Sequence, residues 1–460
     1  MSILRAALRE ADAGALVFRA VRRRGDELSV GSTTLRLADF ERIQLVAFGK
    51  AAPFMAASLA KILGRRLDGG LVVGAPAARP ASGGLRFLRA AHPLPDRNSV
   101  RCGREIIKLA GAAGPRDLLF ILISGGGSAQ VCLPAAPVTL AEKSAITGAL
   151  LQAGAGIIEL NAVRKHLSAV KGGRLAEAAS PARVMNLVLS DVIGNDLESI
   201  ASGPTYWDSS TFAGAVGILK KYRLWTDAPV SIRKVLREGA SGLRPETLRR
   251  NDRVFRRVST VILGDNRMAL NAAARRAKEL GWRPIILTSG DSGEARTAAR
   301  RYVGFLAEAI RSGKGAHRGL CFLAGGELTV HVTGRGRGGR NTEFALAALV
   351  EIARLRGWES RFLIASLGTD GRDGTGEAAG AWITGSTFRR AVRLGLDPES
   401  YLANNDSYTF FQKAGGLIVT GPTRTNVMDI RLFLAAPPLP SSTSISRSSR
   451  SWAARRGSIT

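Results

Sequence analysis

Five consecutive residues, Ser124, Gly125, Gly126, Gly127 and Ser128, follow directly on the apolar run LLFILI. Three glycines after a buried strand let backbone N–H groups converge on one anion with no Cβ in the way. Ser128 adds a hydroxyl or caps a helix. Phosphate is the anion such a loop suits; a plain flexible turn is the alternative. The chain holds no G-x-x-x-x-G-K-[ST] loop, and the triplet does not fit G-x-G-x-x-G, so neither common nucleotide-binding loop explains it. Asn266, which closes the strand end LGDN, is grouped with these five as a phosphate contact.

Charged residues stand at equivalent places. Lys50 ends VAFGK and opens AAPFMAASLAKIL. A cation at a helix start opposes the macrodipole, and a lysine there reaches a carboxylate or phosphate as a mobile point charge. Arg335, Arg337 and Arg340 ride on the glycine-rich GRGRGGRN, where guanidinium forks can grip an anion bidentately. Arg340 is favoured because it lies nearest the helix start. There Asn341 and Thr342 compete for the N-cap, and Glu343 either favours the dipole or reaches the site. Asp191 ends a strand in LSDVIGND, and Asp370 and Asp373 sit in GTDGRDG. Carboxylates beside a phosphate site suit Mg²⁺ or serve as a base toward a substrate hydroxyl. Asp373, next to glycine, reads equally well as a turn residue.

What positions these residues is a repeated unit: an apolar run, a glycine or short polar residue, then a helical pattern. Strands are predicted over 44–48, 70–73, 118–123, 185–189, 258–263, 284–287, 320–324, 362–366 and 417–420. Helices are predicted over 51–63, 100–113, 140–155, 267–280, 295–312 and 342–355, with an amphipathic helix at the N-terminus. Continuously apolar strands between helices indicate parallel sheet covered on both faces, hence α/β layers. Ligands of such sheets bind beyond the carboxyl ends of the strands. Eight ends here carry glycine, a hydroxyl, an acid or a lysine, which points to a cleft lined from two halves. The halves are expected at 1–240 and 241–435, followed by a disordered tail over 436–460 rich in Ser, Pro and Arg.

Composition narrows the class. With 460 residues, 45% of them hydrophobic, the chain can build two or three cored domains. No run of 18 apolar residues free of charge occurs, and the N-terminus lacks a signal-type core, so a cytoplasmic protein with no membrane partner is expected. The net charge of +29 suggests nucleic acid, but 54 of the 66 basic residues are arginine, spread along the whole chain without interleaved aromatics. That reads as a compositional bias, and no nucleic-acid partner is expected. A positive field remains compatible with anionic small substrates. Cys102, Cys132 and Cys321 read as buried free thiols, and the four histidines show no metal-ligand spacing.

Several strings together resemble one family. VAFGKAAPFM, AAHPLPDRNSV, FILISGGGSA, ELNAVRKHLSAVKGGRLA, LVLSDVIGNDLESIASGPT, GGELTVHVTGRGRGGRNTEFAL, SLGTDGRDGTGEAAGA, NNDSYTFF and IVTGPTRTNVMDI run in order from about residue 40 to residue 432. They are similar to the glycerate 2-kinases that join an N-terminal kinase domain to a C-terminal MOFRL domain, a family often labelled hydroxypyruvate reductase. The resemblance implies two α/β domains, the first Rossmann-like with a mostly parallel sheet, and an active site in the cleft between them. It implies transfer of a phosphoryl group from ATP to the 2-hydroxyl of D-glycerate with Mg²⁺, giving 2-phosphoglycerate and ADP. An NAD(P)H-dependent reductase is the alternative, for which no nicotinamide motif is found.

On that basis the loop of residues 124–128 holds ATP phosphates. Lys50 and Arg340 offset charge on the transferring group and orient the glycerate carboxylate, with Arg337, Asn341 and Glu343 also facing substrate. Asp191 binds metal or accepts the hydroxyl proton, and Asp370 is the second metal candidate. The chain departs from the family where Arg424 replaces the glycine of GPTGTN. Were positive φ needed there, the arginine would be strained. The tail after Leu434 also departs. The oligomeric state is left open.

Overall fold

The computed structural model describes residues 1–74, 84–311, 319–355 and 362–436. Residues 437–460, nearly all of the expected tail, lie outside the described residues. The N-terminal segment forms two short helices, Ser2–Glu10 and Ala13–Ala20. They lead into a small antiparallel sheet of β1 (Val21–Arg24), β2 (Glu27–Val30) and β3 (Thr33–Arg36). The apolar side of the first helix buries Ile3, Leu4 and Ala7 in the main core.

The first large sheet holds β4 (Arg42–Phe48), β5 (Gly69–Gly74), β6 (Leu85–Arg89), β7 (Asp117–Ile123), β8 (Arg183–Leu189) and β9 (Val258–Gly264). Their spatial order is β6-β5-β4-β7-β8-β9, all parallel. That is the 3-2-1-4-5-6 order of a dinucleotide-fold sheet, in which successive connections reverse direction between the first and fourth strands. Every residue of β7 is buried, as a central strand covered on both faces must be. One expectation is corrected. The strand beginning at Val258 does not open the second half but completes the first sheet beside β8, so the boundary between sheets falls after Gly264 rather than at 240.

The second sheet contains β10 (Arg283–Asp291), β11 (Leu320–Gly326), β12 (Phe362–Gly368), β13 (Gly380–Thr384), β14 (Leu417–Ile418) and β15 (Asp429–Ala435) in the order β10-β11-β15-β12-β13-β14. It is mixed: β10 and β11 are parallel, while β15 runs antiparallel between β11 and β12. Helix Asn266–Glu279 joins the sheets, and its Ala269, Leu270, Ala273 and Ala277 share one core with Leu4 and Ala7 and with Leu323 and Leu432 of the second sheet. The halves are therefore fused behind the cleft and open only in front. The three cysteines are buried free thiols, as expected. Among the described residues no helix is long and apolar enough to cross a membrane.

Candidate functional site

The direction of the chain reverses between β4 and β7, and the loops leaving these two strands are tied to each other. Lys50 N donates to Gly125 O at 2.8 Å, Ala51 N to Ser124 Oγ at 3.0 Å, and Gly49 N to Gln130 Oε1 at 2.8 Å. Gly49 sits at φ +118°, and a Cβ there would lie 2.3 Å from Ser124 O, so only glycine permits the approach. Lys50 thus leaves the sheet at its reversal point and reaches the second half. Its Nζ lies 2.6 Å from Asp370 Oδ2, at the end of β12 in the other half. The lysine side chain is 35% exposed, so water reaches the pair.

The triple glycine has packing reasons that local reading did not show. A Cβ on Gly125 would lie 1.9 Å from Asp191 Oδ2 and 2.0 Å from Asn426 Nδ2. A Cβ on Gly127 would strike the Phe48 ring at 2.8 Å. Gly126 is left-handed at φ +83° and lies against His92 and the stem of Lys50. Asp191 accepts from Asn426 Nδ2 at 3.1 Å. Burial first, and then the nearby Glu327 carboxylate, push the Asp191 carboxyl up to about 6, against the pull of Lys50. Desolvation and the Lys50 charge take His92 down to about 4, so its ring is neutral at neutral pH.

Arg340 opens helix Arg340–Ala353 and forms the opposite wall. Its Nε and Nη2 grip both oxygens of buried Asp429, at 2.6 and 3.0 Å, while Nη1 meets Glu327 Oε1 at 2.7 Å. Burial weakens its hold on the proton, but the Asp429 and Glu327 carboxylates outweigh that and leave the pKa above the ordinary arginine value. Burial raises the Glu327 carboxyl, with Arg340 opposing. Gly125, Gly126, Ser128, Asp191, Glu327 and Arg340 line one cleft of 1210 Å³ between the halves.

Four expected site residues have protein partners of their own. Asn266 is buried, and its Nδ2 donates to the carbonyls of Val427 and Asp429, which ties the start of its helix to β15. Asn341 is buried between Ser366 Oγ and Asp373. The helix N-terminus is capped from a distance, with Asp373 accepting from the N–H groups of Asn341 and Thr342 at 2.9 and 2.7 Å. Glu343 borders the cleft, but it pairs with Arg296 at 2.7 Å and accepts from Asn405 Nδ2. It fixes Asn405, whose Oδ1 holds the N–H groups of Thr333 and Gly334. Arg337 is exposed and stacks 4.7 Å over the Tyr408 ring, away from the cleft. Arg424 is not among the left-handed residues; it lies 5.7 Å from the Phe54 ring and its carbonyl accepts from Ala13 N. No backbone strain arises there.

The structure also brings in residues that sequence reading left out: Glu327, Asn426 and Asp429 in the second half, and His92, Arg164 and Lys171 in the first. Glu327 follows a recognisable strand end, AGGE, and Arg164 and Lys171 lie inside one of the family-like strings. Asp429 begins a strand that the apolar pattern concealed.

A reversal-point cleft with basic side chains from both halves and perturbed acids between them defines an α/β enzyme of the phosphoryl-transfer class. Comparison with known proteins makes that specific. A domain of unknown function, DUF4147, matches residues 1–237, and the MOFRL family matches residues 320–429. D-glycerate 2-kinase from Thermotoga maritima is 39% identical over 402 residues, 87% of this chain and 92% of that protein. A putative hydroxypyruvate reductase from Agrobacterium vitis is 40% identical over 395 residues, 85% of this chain and 87% of that one. The crystal structure of glycerate kinase from Thermotoga maritima, 35% identical, covers 94% of this chain and 98% of its own with a TM-score of 0.80. The chain belongs to the glycerate 2-kinase family and is a kinase.

Proposed function

We propose that the chain transfers the γ-phosphoryl group of ATP to the 2-hydroxyl of D-glycerate, giving 2-phosphoglycerate and ADP. The relatives named for glycerate 2-kinase activity support the substrate. The observation that carries the chemistry is the meeting of Lys50, from the reversal point of the first sheet, with Asp370 of the second half at 2.6 Å, close enough for the lysine charge to act on Asp191 and Glu327. The hydroxyl oxygen attacks the γ-phosphorus, the bond to the β–γ bridging oxygen breaks, and its electron pair leaves with ADP. The hydroxyl proton passes to Asp191, whose carboxyl, at about 6, is ionised at neutral pH yet basic enough to accept it. Lys50 and Arg340 offset the charge spread over the transferring oxygens.

As the alternative to its role as proton acceptor, Asp191 would hold a divalent cation together with Glu327; a carboxylate bound to the metal does not at the same time take the hydroxyl proton. Both carboxyls are raised by burial, and the Glu327 charge raises Asp191 further, so a metal between them would relieve the shared penalty. Asp370 is committed to Lys50 and to Arg372 N and fits less well. When bound, Mg²⁺ would offset phosphate charge.

The test is ADP release from ATP and D-glycerate with the product resolved as 2- or 3-phosphoglycerate. Turnover to the 2-isomer is expected, with kcat/KM rising as pH passes through about 6 and then levelling as Asp191 ionises. NAD(P)H oxidation with hydroxypyruvate, and no phosphoryl transfer, would replace this reading with a reductase.

A further inference from the structure

At the inner end of the cleft two cations converge on one neutral oxygen. Arg164 Nη2 donates to Ser128 Oγ at 2.6 Å, and Lys171 Nζ donates to the same atom at 2.7 Å. Lys171 is 1% exposed, and its other protons go to the carbonyls of Ser128 and Ala201 at 3.1 and 3.2 Å. Ser128 Oγ lies 3.1 Å from Ser202 Oγ, which donates to Asn161 Oδ1 at 3.2 Å, and Arg164 Nη1 reaches the same Asn161 oxygen at 3.4 Å. Among the described residues no carboxylate pairs with either cation, and buried Lys143 adds a third positive charge nearby.

Burying charge without a partner costs several kcal/mol per ion. Evolution normally pairs such groups or removes them. Here the Lys171 nitrogen is satisfied by neutral oxygens under the floor, and burial with the Arg164 and Lys143 charges pulls its pKa well below the ordinary lysine value, so an anion bound in front would favour its charged form. Arg164, Asn161, Ser128 and Ser202 line the open cleft. Two of the five guanidinium N–H groups are engaged, and the Asn161 carbonyl already accepts twice, so its NH₂ group and the remaining guanidinium edge are the donors left over. Such a planar, rigidly held edge matches the two oxygens of a carboxylate. It offers too few donors to hold a triphosphate by itself.

We propose that Arg164 and Asn161, with Lys171 behind them supplying charge, form the subsite for the carboxylate of the acceptor. This rests on the hydroxy-acid kinase reading above and deepens it. The subsite makes the enzyme select an acid over a neutral polyol: an uncharged acceptor leaves the buried cations unpaired, whereas a carboxylate completes them. Arg340 and Lys50, already matched by carboxylates of their own, then remain for the phosphoryl group.

Two variants test it. Arg164→Met removes the fork but leaves Ser128 bonded to Lys171; Asn161→Asp keeps the shape and repels an acid. Steady-state kinetics on each folded variant are expected to show KM for D-glycerate raised at least 30-fold and KM for ATP changed less than 3-fold. The preference for glycerate over uncharged glyceramide in kcat/KM should fall by a similar factor. A rise in KM for ATP with glycerate unaffected would overturn the proposal in favour of a phosphate subsite. Calorimetric titration of wild type and Arg164→Met with D-glycerate and D-lactate, without ATP, reads the subsite apart from turnover. If wild type binds these acids and the variant binds them at least 30-fold more weakly, the subsite stands even should the phosphoryl-transfer reading fail. Equal binding by both proteins would sink it.

Discussion

The two ends of the cleft differ in their charge balance. Around Lys50 and Arg340 the acids are in excess: Asp191, Glu327, Asp370 and Asp429 face Lys50, Arg340 and, behind Asp429, the buried Arg431. Around Ser128 the cations are in excess, with Arg164 and Lys171 and, among the described residues, no acid paired with either. The first arrangement suits a metal and a moving proton, because carboxylates that repel one another bind cations readily. The second suits an anion that stays fixed. One end is built to change its charge during turnover, the other to hold a substrate while that happens.

The sharpest way to break this contrast is to remove one arginine from each end. Arg340→Ala should lower kcat/KM at least about 100-fold, since it takes away charge that offsets the transferring group, and Lys50→Ala should do the same. Arg340→Ala should also cost about 3 kcal/mol of stability in urea unfolding, because buried Asp429 loses both hydrogen bonds of the guanidinium fork and, among the described residues, keeps only Arg431, at 4.0 Å. Arg164→Met abandons no carboxylate, so its stability should change by less than about 1 kcal/mol. Equal stability losses in the two variants would mean the ends are not built differently. Near-normal turnover in folded Lys50→Ala or Arg340→Ala protein would remove those residues from the chemistry.

How much of this was readable beforehand follows the same divide. The parallel strands of the first sheet announce themselves as unbroken apolar runs because both faces are covered, and their ends led directly to Lys50, Ser124 and Asp191. In the second half, β15 reads DIRLFLA, and Arg431 interrupts the apolar pattern. That arginine is wholly buried against Asp291 and Asp429, partners no local pattern reveals, so the strand went unpredicted and Asp429 with it. Asn266, Asn341 and Glu343 were placed in the right loops. Their directions are set by tertiary partners (Val427, Asp373 and Arg296) that no local pattern reveals. Arg164 and Lys171 stand seven residues apart, and the helix carrying Arg164 ends at His166. They meet on Ser128 only because the following turn brings the chain back.

A second experiment, smaller in effect, examines the acid excess through Asp191. Its folded pKa, about 6, lies above the ordinary aspartate value of 3.8. The folded state therefore binds the proton more tightly than the unfolded state. Stability falls as pH rises from about 4 to about 6, and the full penalty persists above that. Asp191→Asn should accordingly be more stable than wild type at pH 8, by about 1–2 kcal/mol after allowing for the partial exposure of the group, while the two converge near pH 4. An unaltered or lowered melting temperature at pH 8 would show that Asp191 is not held against its ionisation.

The smallest effect concerns the tie between halves. Lys50 and Asp370 meet at 2.6 Å, but the lysine is 35% and the aspartate 16% exposed. Such a pair is screened by water and salt and contributes little net stability. Asp370→Asn should therefore shift urea unfolding by less than about 1 kcal/mol, far below the loss expected for Arg340→Ala. The weakness has a use: a lysine held loosely by a carboxylate can leave it for phosphate oxygens at small cost, whereas the buried Arg340–Asp429 fork keeps its geometry throughout. A loss of 3 kcal/mol or more in Asp370→Asn would make the pair a structural clamp, and Lys50 could not then be the cation that exchanges partners when ATP binds.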